Sequence, residues 1–355
     1  MKNTNQTPVI KTALLSYGMS GKVFHAPFIH FHPGFELSAV WERSKMTANL
    51  DYPSVQVVAQ LEEILNNPAI ELVVVNTPTA THFEYAQKAL LAGKHVIVEK
   101  AFTTTEKEAD LLIDLAEKTG KILSVYQNRR WDSDFQTVQK IIRQQLLGNI
   151  HSATIRFERF KEILSAKLHK EQPGPGAGLL MDLGPHIIDQ ALVLFGMPNA
   201  VIADIRTLRT HSLVDDDFLI HLLYDDLRVT LISSLLIPHA VDAFLIHGSK
   251  ASFMKQRADI QENALLKLEQ PFTDNWGLEP EEYAGQLVTI QDGKEKAERI
   301  PTIAGNYGEY YENIYRVIRF NEPLKISGKD GKNVMKIIEA AKQSNAEKRQ
   351  IAINH

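Results

Sequence analysis

Lys100, Asp182 and His186 carry side chains that together could move the proton of an alcohol. Lys100 ends the apolar run HVIVEK, and Asp182 and His186 stand four residues apart in DLGPHIIDQ. Oxidation of a secondary alcohol needs a group that takes the hydroxyl proton while hydride leaves. We expect Lys100 to be that group. The positively charged ring of an oxidised nicotinamide beside it would repel the ammonium charge and make the lysine proton easier to lose. His186 would share the proton with Lys100. Asp182 would bind a neighbouring hydroxyl of the substrate or orient the side chains of Lys100 and His186. The ordinary alternatives are a surface pair of Lys100 with Glu99 and a histidine that only caps or packs its helix.

A turn near the N-terminus could hold the dinucleotide that such chemistry requires. It lies in LLSYGMSGKVFHAP, which begins at residue 14. In a dinucleotide-binding turn the second glycine lets the backbone approach the pyrophosphate, and the third lets the helix pack on the strand. Gly18 and Gly21 hold those places, and serine can make the tight turn at the first. A turn that serves packing alone is the alternative. The predicted cofactor-binding residues here are Ser16, Tyr17, Gly18, Met19, Ser20 and Gly21.

The end of the second apolar run gives conflicting signals about the cofactor. Glu42 stands about twenty residues after the turn, where an acidic side chain binds ribose hydroxyls and favours NAD. Arg43 and Ser44, followed by Lys45, could instead bind a 2′-phosphate, which favours NADP. The sequence leaves NAD and NADP open, with a small preference for NADP. A solvated turn with neither role is a third possibility.

The apolar pattern up to residue 127 predicts the elements that position these residues. Short Val/Ile/Leu runs such as ELVVVNTP and HVIVEK alternate with stretches of helical length, among them PSVQVVAQLEEILNN, THFEYAQKALLAGK and TEKEADLLIDLAEKTGK. Nearly continuous apolar runs are typical of parallel strands buried on both faces, so the alternation predicts a doubly wound α/β sheet of the Rossmann type. Gly93 and Gly120 are expected to end two of the helices.

The pattern changes after about residue 128. Longer, more alternating runs such as AVIADIRTL, FLIHLLYDD and LRVTLISSLLI follow one another, with one inserted helix in PHIIDQALVLFG. Consecutive strands without intervening helices predict an α+β domain with a large, mostly antiparallel open sheet. We therefore expect a dinucleotide-binding domain over residues 1–127 and a second domain, for substrate binding and oligomerisation, over residues 128–355.

Several segments together resemble a known family. They are the glycine turn, VVVNTPTATH (73–82), HVIVEKAFT (95–103), SVYQNRRWDSDF (124–135) and GLLMDLGPHIIDQ (178–190). Over essentially the whole chain they look like the Gfo/Idh/MocA family of NAD(P)-dependent oxidoreductases, and in particular its scyllo-inositol 2-dehydrogenase (NADP) branch. The resemblance implies a Rossmann domain followed by an open antiparallel sheet whose outer face often makes the dimer. A homodimer or homotetramer is expected on that basis.

The resemblance also implies roles for individual residues. The family's catalytic trio falls on Lys100, Asp182 and His186. Positions that border the nicotinamide and its ribose fall on Asn76, Thr77, Pro78, His82 and Glu99. The segment on the substrate side falls on Asn128, Arg129 and Trp131, together with Asp182 and His186.

Two residues depart from the family pattern. Ser16 replaces the usual first glycine, and Ala101 replaces the usual proline after the lysine. A cis peptide bond before a residue other than proline costs about 2.5 to 4 kcal/mol. We therefore expect a trans bond between Lys100 and Ala101.

Three charged neighbours of these motifs are open to more than one interpretation. Asp189 could orient the imidazole of the catalytic histidine or be an exposed helical carboxylate. Arg129 and Arg130 could hold a substrate or pair with Asp132 and Asp134. The tyrosines of NYGEYYENIYRVI are expected to be packing residues, and one or two of them could border the substrate cavity.

Composition narrows the classes of function. A chain of 355 residues suggests about two domains. Its 39 Lys and Arg against 43 Asp and Glu give a net charge of −4, which does not favour nucleic acid or an anionic membrane. The absence of cysteine and of an H-E-x-x-H motif leaves no pattern typical of a zinc site, so no metal is expected. No long apolar segment suggests a signal or a membrane span, so we expect a cytoplasmic protein.

The resulting hypothesis is an oxidoreductase that transfers hydride reversibly between NAD(P) and a secondary alcohol of a polyol, inositol or sugar. One alternative is a regulatory protein that binds the dinucleotide without turnover. A second is glycoside cleavage with transient oxidation by the nicotinamide.

Overall fold

The computed structural model describes residues 8–43, 46–165, 168–239, 241–258 and 260–354, without the side chains of residues 168 and 169. Within these ranges the first sheet has six strands in the order β3-β2-β1-β4-β5-β6, all parallel. The strands are β1 (Ile10–Leu14), β2 (Phe35–Trp41), β3 (Gln56–Val58), β4 (Leu72–Val75), β5 (His95–Val98) and β6 (Leu123–Val125). All four residues of β4 are fully buried. The predicted doubly wound sheet is confirmed.

Helices cover both faces of this sheet. They are a π-helical turn (Ser20–His25), α1 (Ala26–Phe31), α2 (Ala48–Asp51), α3 (Leu61–Leu65), a 3-10 turn (Thr79–Thr81), α4 (His82–Leu91) and α5 (Glu106–Thr119). Gly120 ends α5 with a φ of 62°, a left-handed conformation that favours glycine. The helix expected in PSVQVVAQLEEILNN is wrong in part, because its β-branched QVV segment pairs with β2 as strand β3 and leaves only α3 helical.

The second sheet has nine strands among the described residues, in the order β14-β13-β12-β11-β7-β10-β9-β8-β15. The strands are β7 (Ile150–Arg156), β8 (Ala200–Arg206), β9 (Asp217–Leu223), β10 (Arg228–Ser234), β11 (Phe244–Gly248), β12 (Ala251–Lys255), β13 (Gly285–Gln291), β14 (Lys294–Ile300) and β15 (Ile351–Ala352). Strands β7 and β10 pair in parallel, and the other pairs are antiparallel. The predicted mostly antiparallel open sheet is confirmed.

The remaining helices all follow β6 in the chain, most of them between strands of the second sheet. They are a 3-10 turn (Asn128–Trp131), α6 (Ser133–Arg143), α7 (Leu168–Glu171), α8 (Leu179–Asp182), α9 (Gly184–Phe195), α10 (Ile260–Leu266), a 3-10 turn (Glu281–Tyr283), α11 (Gly308–Phe320) and α12 (Gly328–Glu347). The buried Ile187 and Ile188 of α9 pack in the hydrophobic core of the second sheet. Helix α11 instead contributes buried Tyr310 and Tyr311 to the core of the first sheet, as packing residues. No described helix has both the length and the apolar composition that a membrane span requires.

Candidate active site

A crevice lies where the strand order of the parallel sheet reverses, beyond the carboxyl ends of β1, β2 and β4. Open α/β sheets bind ligands at this position because adjacent loops diverge there. The crevice has a volume of about 340 Å³. It is lined by Leu15, Ser16, Tyr17, Gly18, Trp41, Glu42, Arg43, Thr47, Thr77, Pro78, Thr81 and Tyr85.

The glycine turn has the steric properties that a dinucleotide requires. A Cβ atom at Gly21 would lie 2.2 Å from the carbonyl oxygen of Ser16 and 2.8 Å from Nδ2 of Asn76, so the position has no room for a side chain. A Cβ atom at Gly18 would meet only Oγ of Ser16 at 3.5 Å, so that backbone faces open space. The Ser16 hydroxyl accepts a hydrogen bond from the Gly18 amide at 3.2 Å. Ser16, at the position of the first glycine of the motif, thus stabilises the turn through its side chain.

Two polar atoms at the turn are buried without a hydrogen-bond partner in the described structure. They are Oγ of Ser20 and Oδ1 of Asn76. The Asn76 side chain is oriented by its Nδ2, which donates to the Ser16 carbonyl at 2.8 Å. A buried hydroxyl and a buried amide oxygen need partners, and phosphate oxygens and ribose hydroxyls supply the matching acceptors and donors. The residues present therefore fit a dinucleotide. Met19, in the same turn, is partly exposed at 44%.

Glu42 uses its carboxylate within the protein. Its Oε2 accepts hydrogen bonds from the amides of Thr47 (2.9 Å) and Ala48 (2.8 Å), and its Oε1 accepts from the Thr47 hydroxyl (2.7 Å). These contacts satisfy the start of α2. Arg43 is exposed and lines the crevice beside Thr47. Ser44, the third residue expected here, lies outside the described residues.

Lys100 and Asp182 meet between the two sheets. Nζ of Lys100 donates to the carbonyl oxygen of Asp182 at 2.7 Å and to its Oδ1 at 3.1 Å. Nζ of Lys170, on α7, donates to Oδ2 at 2.8 Å. Burial opposes ionisation of Asp182, but the charges of Lys100 and Lys170 outweigh it and hold the pKa of this carboxyl well below its usual range. Asp182 is thus a carboxylate shared by two ammonium groups.

His186 lies in the first turn of α9, four residues after Asp182, and is 5% exposed. Its ring centre is 6.0 Å from that of Phe157, and its Nδ1 is buried without a hydrogen-bond partner among the described residues. Burial, then the charges of Lys100 and Arg129, lower the pKa of His186 well below the usual value. The imidazole is therefore neutral and has a nitrogen to offer a ligand.

The peptide bond between Lys100 and Ala101 is cis, so the expectation of a trans bond is wrong. Hydrogen-bonding groups lie on both sides of the bond. The Lys100 amide donates to Oε2 of Glu99 at 3.0 Å, and the Ala101 carbonyl lies 2.8 Å from Nδ1 of His82. The same imidazole lies 2.8 Å from the carbonyl of Thr77 through Nε2. His82 is 1% exposed and links the loops after β4 and β5 instead of lining the crevice.

The segment expected on the substrate side divides between two environments. Arg129 is buried, donates to Asp132 at 3.0 Å and to Glu262 at 2.6 Å, and lies 4.7 Å over the ring of Phe157. It therefore neighbours His186 and also has the expected pair with Asp132. Trp131 packs in the core of the first sheet, with the ring of Tyr310 5.9 Å away. Asn128 is buried at the start of the same 3-10 turn.

Neither interpretation of Asp189 is correct. It is 2% exposed, and both its oxygens accept hydrogen bonds from Arg130, at 2.8 and 2.6 Å. Arg130 also donates to Asp330 at 2.8 Å, so it does not pair with the aspartates expected for it. A buried carboxylate needs such a partner because burial alone raises the pKa of Asp189.

Sequence reasoning missed three residues near the site. His25 contacts Glu99, Tyr311 contacts His25, and Lys170 donates to Asp182. No short-range pattern could have shown that Tyr311 lies beside His25, because 286 residues separate them. The described residues contain no group of three or more His, Asp or Glu side chains that could hold a metal ion.

Family models match both parts of the chain. One described as "Oxidoreductase family, NAD-binding Rossmann fold" matches residues 10–127. Another described as "Oxidoreductase family, C-terminal alpha/beta domain" matches residues 139–353. The chain therefore has an NAD-binding Rossmann domain, in agreement with the crevice and the glycine turn.

Individual relatives agree over the full length. The scyllo-inositol 2-dehydrogenase (NADP(+)) IolW of Bacillus subtilis (strain 168) is 39% identical over 355 residues, which cover 100% of this chain and 99% of the relative. The structure of the oxidoreductase yvaA from Bacillus subtilis has a TM-score of 0.95 at 39% identity and covers 98% of this chain and 99% of its own. A crystal structure of an oxidoreductase from Bacteroides fragilis has a TM-score of 0.88 at 46% identity, with coverages of 97% and 100%. With its fold, its glycine turn and both family models in agreement, the chain belongs to the Gfo/Idh/MocA family of oxidoreductases.

Proposed function

We propose that the protein is an NADP-dependent dehydrogenase that interconverts a secondary hydroxyl of a polyol, inositol or sugar with the ketone. The observation that carries this proposal is the contact of Lys100 with Asp182, four residues before the buried His186. They come from the end of β5, the end of α8 and the start of α9, yet the amine and the carboxylate are 3.1 Å apart. The name of the full-length relative, a scyllo-inositol 2-dehydrogenase, supports the substrate class.

Each residue of this trio has a distinct task in the proposed reaction. The nicotinamide, when bound, takes or gives hydride at its C4. Lys100, in its neutral amine form, accepts the hydroxyl proton at Nζ during oxidation, and as the ammonium it returns that proton during reduction. Asp182 positions that amine through its carbonyl and carboxylate oxygens. His186 offers Nδ1 to the reacting hydroxyl, and its lowered pKa keeps it neutral, which leaves the proton to Lys100.

The crevice supports NADP as the cofactor. Both oxygens of Glu42 already accept hydrogen bonds from the start of α2, which leaves this carboxylate fewer acceptor sites for a ribose diol than NAD recognition would use. Arg43 lines the same crevice. A guanidinium matches the geometry and charge of a 2′-phosphate. The proposal further assigns dinucleotide binding to residues 1–127 and substrate binding to residues 128–355, in a homodimer or homotetramer.

The test is a panel of inositols, glucose, xylose and their keto forms with NADP and NAD, followed at the absorbance of the reduced nicotinamide. We expect turnover with NADP. Lys100→Ala should lower kcat by about 10² to 10⁴-fold, the range for loss of a general base, while the affinity for NADPH changes little. Lys100→Arg is the matched variant, because arginine keeps the charge beside Asp182 but does not lose its proton. Unchanged kcat in either variant would refute the assigned base, and dinucleotide binding without any turnover would favour the regulatory alternative.

A further inference from the structure

Lys170 is held beside the trio by the chain that leads into β9. It lies on α7, next to Glu171. Nη2 of Arg209 donates to Oε2 of Glu171 at 2.8 Å, and Nε of Arg209 donates to Oδ2 of Asp216 at 3.0 Å. The side chains of Glu171 and Arg209 are 10% and 3% exposed. A buried arginine between two carboxylates is a strong attachment, so α7 and its lysine have a defined place at the site.

Asp182 divides its carboxylate between two lysines. Oδ1 accepts a hydrogen bond from Nζ of Lys100 at 3.1 Å, and Oδ2 accepts one from Nζ of Lys170 at 2.8 Å. Lys100 is largely enclosed and also donates to the backbone carbonyl of Asp182 at 2.7 Å. Lys170 is more exposed and reaches the carboxylate from the solvent side. One negative charge therefore has two cationic partners, and only Lys100 has a part in the proposed proton transfer.

The proposed reaction removes one of these partners. Lys100 accepts the hydroxyl proton as a neutral amine, and in that form it does not balance the charge of Asp182. Burial opposes ionisation of this carboxyl, and the charges of Lys100 and Lys170 are what hold its pKa low. With Lys100 as its only cationic partner, Asp182 would favour the ammonium form of that lysine and so oppose its action as a base.

We propose that Lys170 is a positioning residue of the reaction: it is the lasting counter-ion of Asp182, and it allows Lys100 to release its proton and act as the base. This inference rests on the proposed function. Lys170 acts through Asp182 and does not touch the reacting hydroxyl. During oxidation the hydroxyl proton goes to Nζ of Lys100, the hydride goes to the nicotinamide, and Lys170 keeps its protons.

Other charges around these three side chains stay the same when only Lys170 is changed. Among the described residues they include those of Glu99, Arg129, Lys161 and His186. Glu99 precedes Lys100 in the chain, and His186 follows Asp182 by one helical turn. A substitution at position 170 alters one charge within this set. A change in pH dependence can therefore be assigned to Lys170.

The pH dependence of scyllo-inositol oxidation with NADP tests this role in the full-length protein. In Lys170→Met the acid limb of kcat/KM should move to higher pH by about one unit, the lower end of the effect of a neighbouring charge, because Lys170 is partly exposed. The rate at high pH should return to the wild-type level, and Lys170→Arg should restore the wild-type limb. A profile that is lower at every pH, with its limb unmoved, would overturn the proposal.

Lys332→Met is the matched control. Lys332 on α12 pairs with Asp110 on α5 at 2.6 Å, so this variant also removes a lysine from an ion pair at the protein surface. Neither helix carries a residue of the trio. The control should leave the acid limb unmoved, and both variants should keep the wild-type melting temperature within a few degrees, since exposed ion pairs contribute little to stability. An equal shift of the limb in Lys332→Met would disprove the assigned role.

Chemical labelling of Lys100 tests the inference without turnover. Acetic anhydride reacts with a lysine side chain only when the amine is neutral, because the ammonium has no free electron pair. The extent of reaction is measured at several pH values in the presence of NADPH, by mass spectrometry of the peptide that contains Lys100. The labelling profile of Lys100 should move to higher pH by about one unit in Lys170→Met and stay unchanged in Lys332→Met.

Labelling and turnover together separate this inference from the proposed function. If the labelling profile of Lys100 does not move in Lys170→Met, the counter-ion role is refuted, and a wild-type protein that oxidises alcohols is still a dehydrogenase. If the labelling profile moves but no alcohol in the panel is oxidised, the charge relationship is supported and the dehydrogenase is refuted.

Discussion

Nε2 of His25 lies 3.0 Å from Oε1 of Glu99, and the imidazole is fully buried. On its other side, Nδ1 is 2.6 Å from the hydroxyl of Tyr311 on α11. Burial opposes ionisation of Glu99, but the hydrogen bond and charge of His25 outweigh it and lower the pKa of this carboxyl. Because Glu99 also accepts from the Lys100 amide, a chain of contacts runs from α11 to the proposed base.

The pair of His25 and Glu99 should contribute strongly to stability. His25→Phe leaves a buried carboxylate without its main partner, and loss of one member of such a pair costs about 3 to 5 kcal/mol. We expect the free energy of unfolding in urea to fall by about that amount. The double variant His25→Phe, Glu99→Gln should lose less than the sum of the two single losses, because the uncompensated charge is gone. Strict additivity would show that the two side chains do not interact.

The two glycines of the turn should fail in different ways when replaced by alanine. Gly21→Ala brings a Cβ to 2.2 Å from a backbone carbonyl, so both the melting temperature and the NADPH affinity should fall. Gly18→Ala meets no close atom within the protein and should fold normally, but its methyl group occupies the space for the pyrophosphate. Thermal melts and NADPH fluorescence titrations measure both effects. Wild-type NADPH affinity in Gly18→Ala would contradict the placement of the cofactor.

Arg43 should discriminate between the two cofactors. A hydrogen bond to a charged group contributes about 1.5 to 3 kcal/mol, so Arg43→Ala should raise the KM for NADP by about 10 to 100-fold. The KM for NAD should change little, and Arg43→Lys should retain part of the preference. Equal losses for the two cofactors would show that this side chain does not bind the 2′-phosphate.

Acid should destabilise the fold through the half-buried His95 and the buried His186. Burial, then the charge of Lys121, lowers the pKa of His95 to about 4, and the pKa of His186 is lowered as well. In the unfolded chain both titrate near 6.5. As the pH falls below about 6.5 the unfolded state takes up protons that the folded state does not, so stability decreases by up to about 1.4 kcal/mol per pH unit for each histidine.

For His95 this loss continues down to its folded pKa of about 4 and then stops. Urea unfolding at several pH values measures the slope. His95→Asn should reduce the slope of unfolding free energy against pH by the contribution of one proton, because asparagine does not titrate. The asparagine side chain can still accept the hydrogen bond that the Ile122 amide donates to His95 at 3.1 Å. A slope that is the same in this variant would disprove the contribution of His95.

The sequence was sufficient where local pattern determines structure. The uninterrupted LVVV of β4 has to be buried on both faces, and Gly120 can adopt the left-handed conformation that ends α5. The strands of the second sheet were also predictable from their alternation. In these cases each residue's own chemistry, or that of its immediate neighbours, decides the outcome.

The expectations that failed depended on partners far away in the chain. The Ala101 carbonyl, next to the cis bond, contacts His82, 19 residues earlier, and Asp189 pairs with Arg130, 59 residues earlier. Competition among possible partners is settled by tertiary packing, which a single sequence does not display. The roles of the individual site residues, and the division at residues 127 and 128, stay predictions.

The position of α11 has a consequence for biosynthesis. Tyr307, Tyr310 and Tyr311 pack in the core of the first sheet, and the Tyr310 hydroxyl lies 2.7 Å from that of Ser124 in β6. A nascent chain that has emerged only as far as residue 127 lacks these aromatic rings. The Rossmann domain should therefore stay incompletely packed on the ribosome until α11 has been translated. Chaperones would bind it in this incompletely packed form.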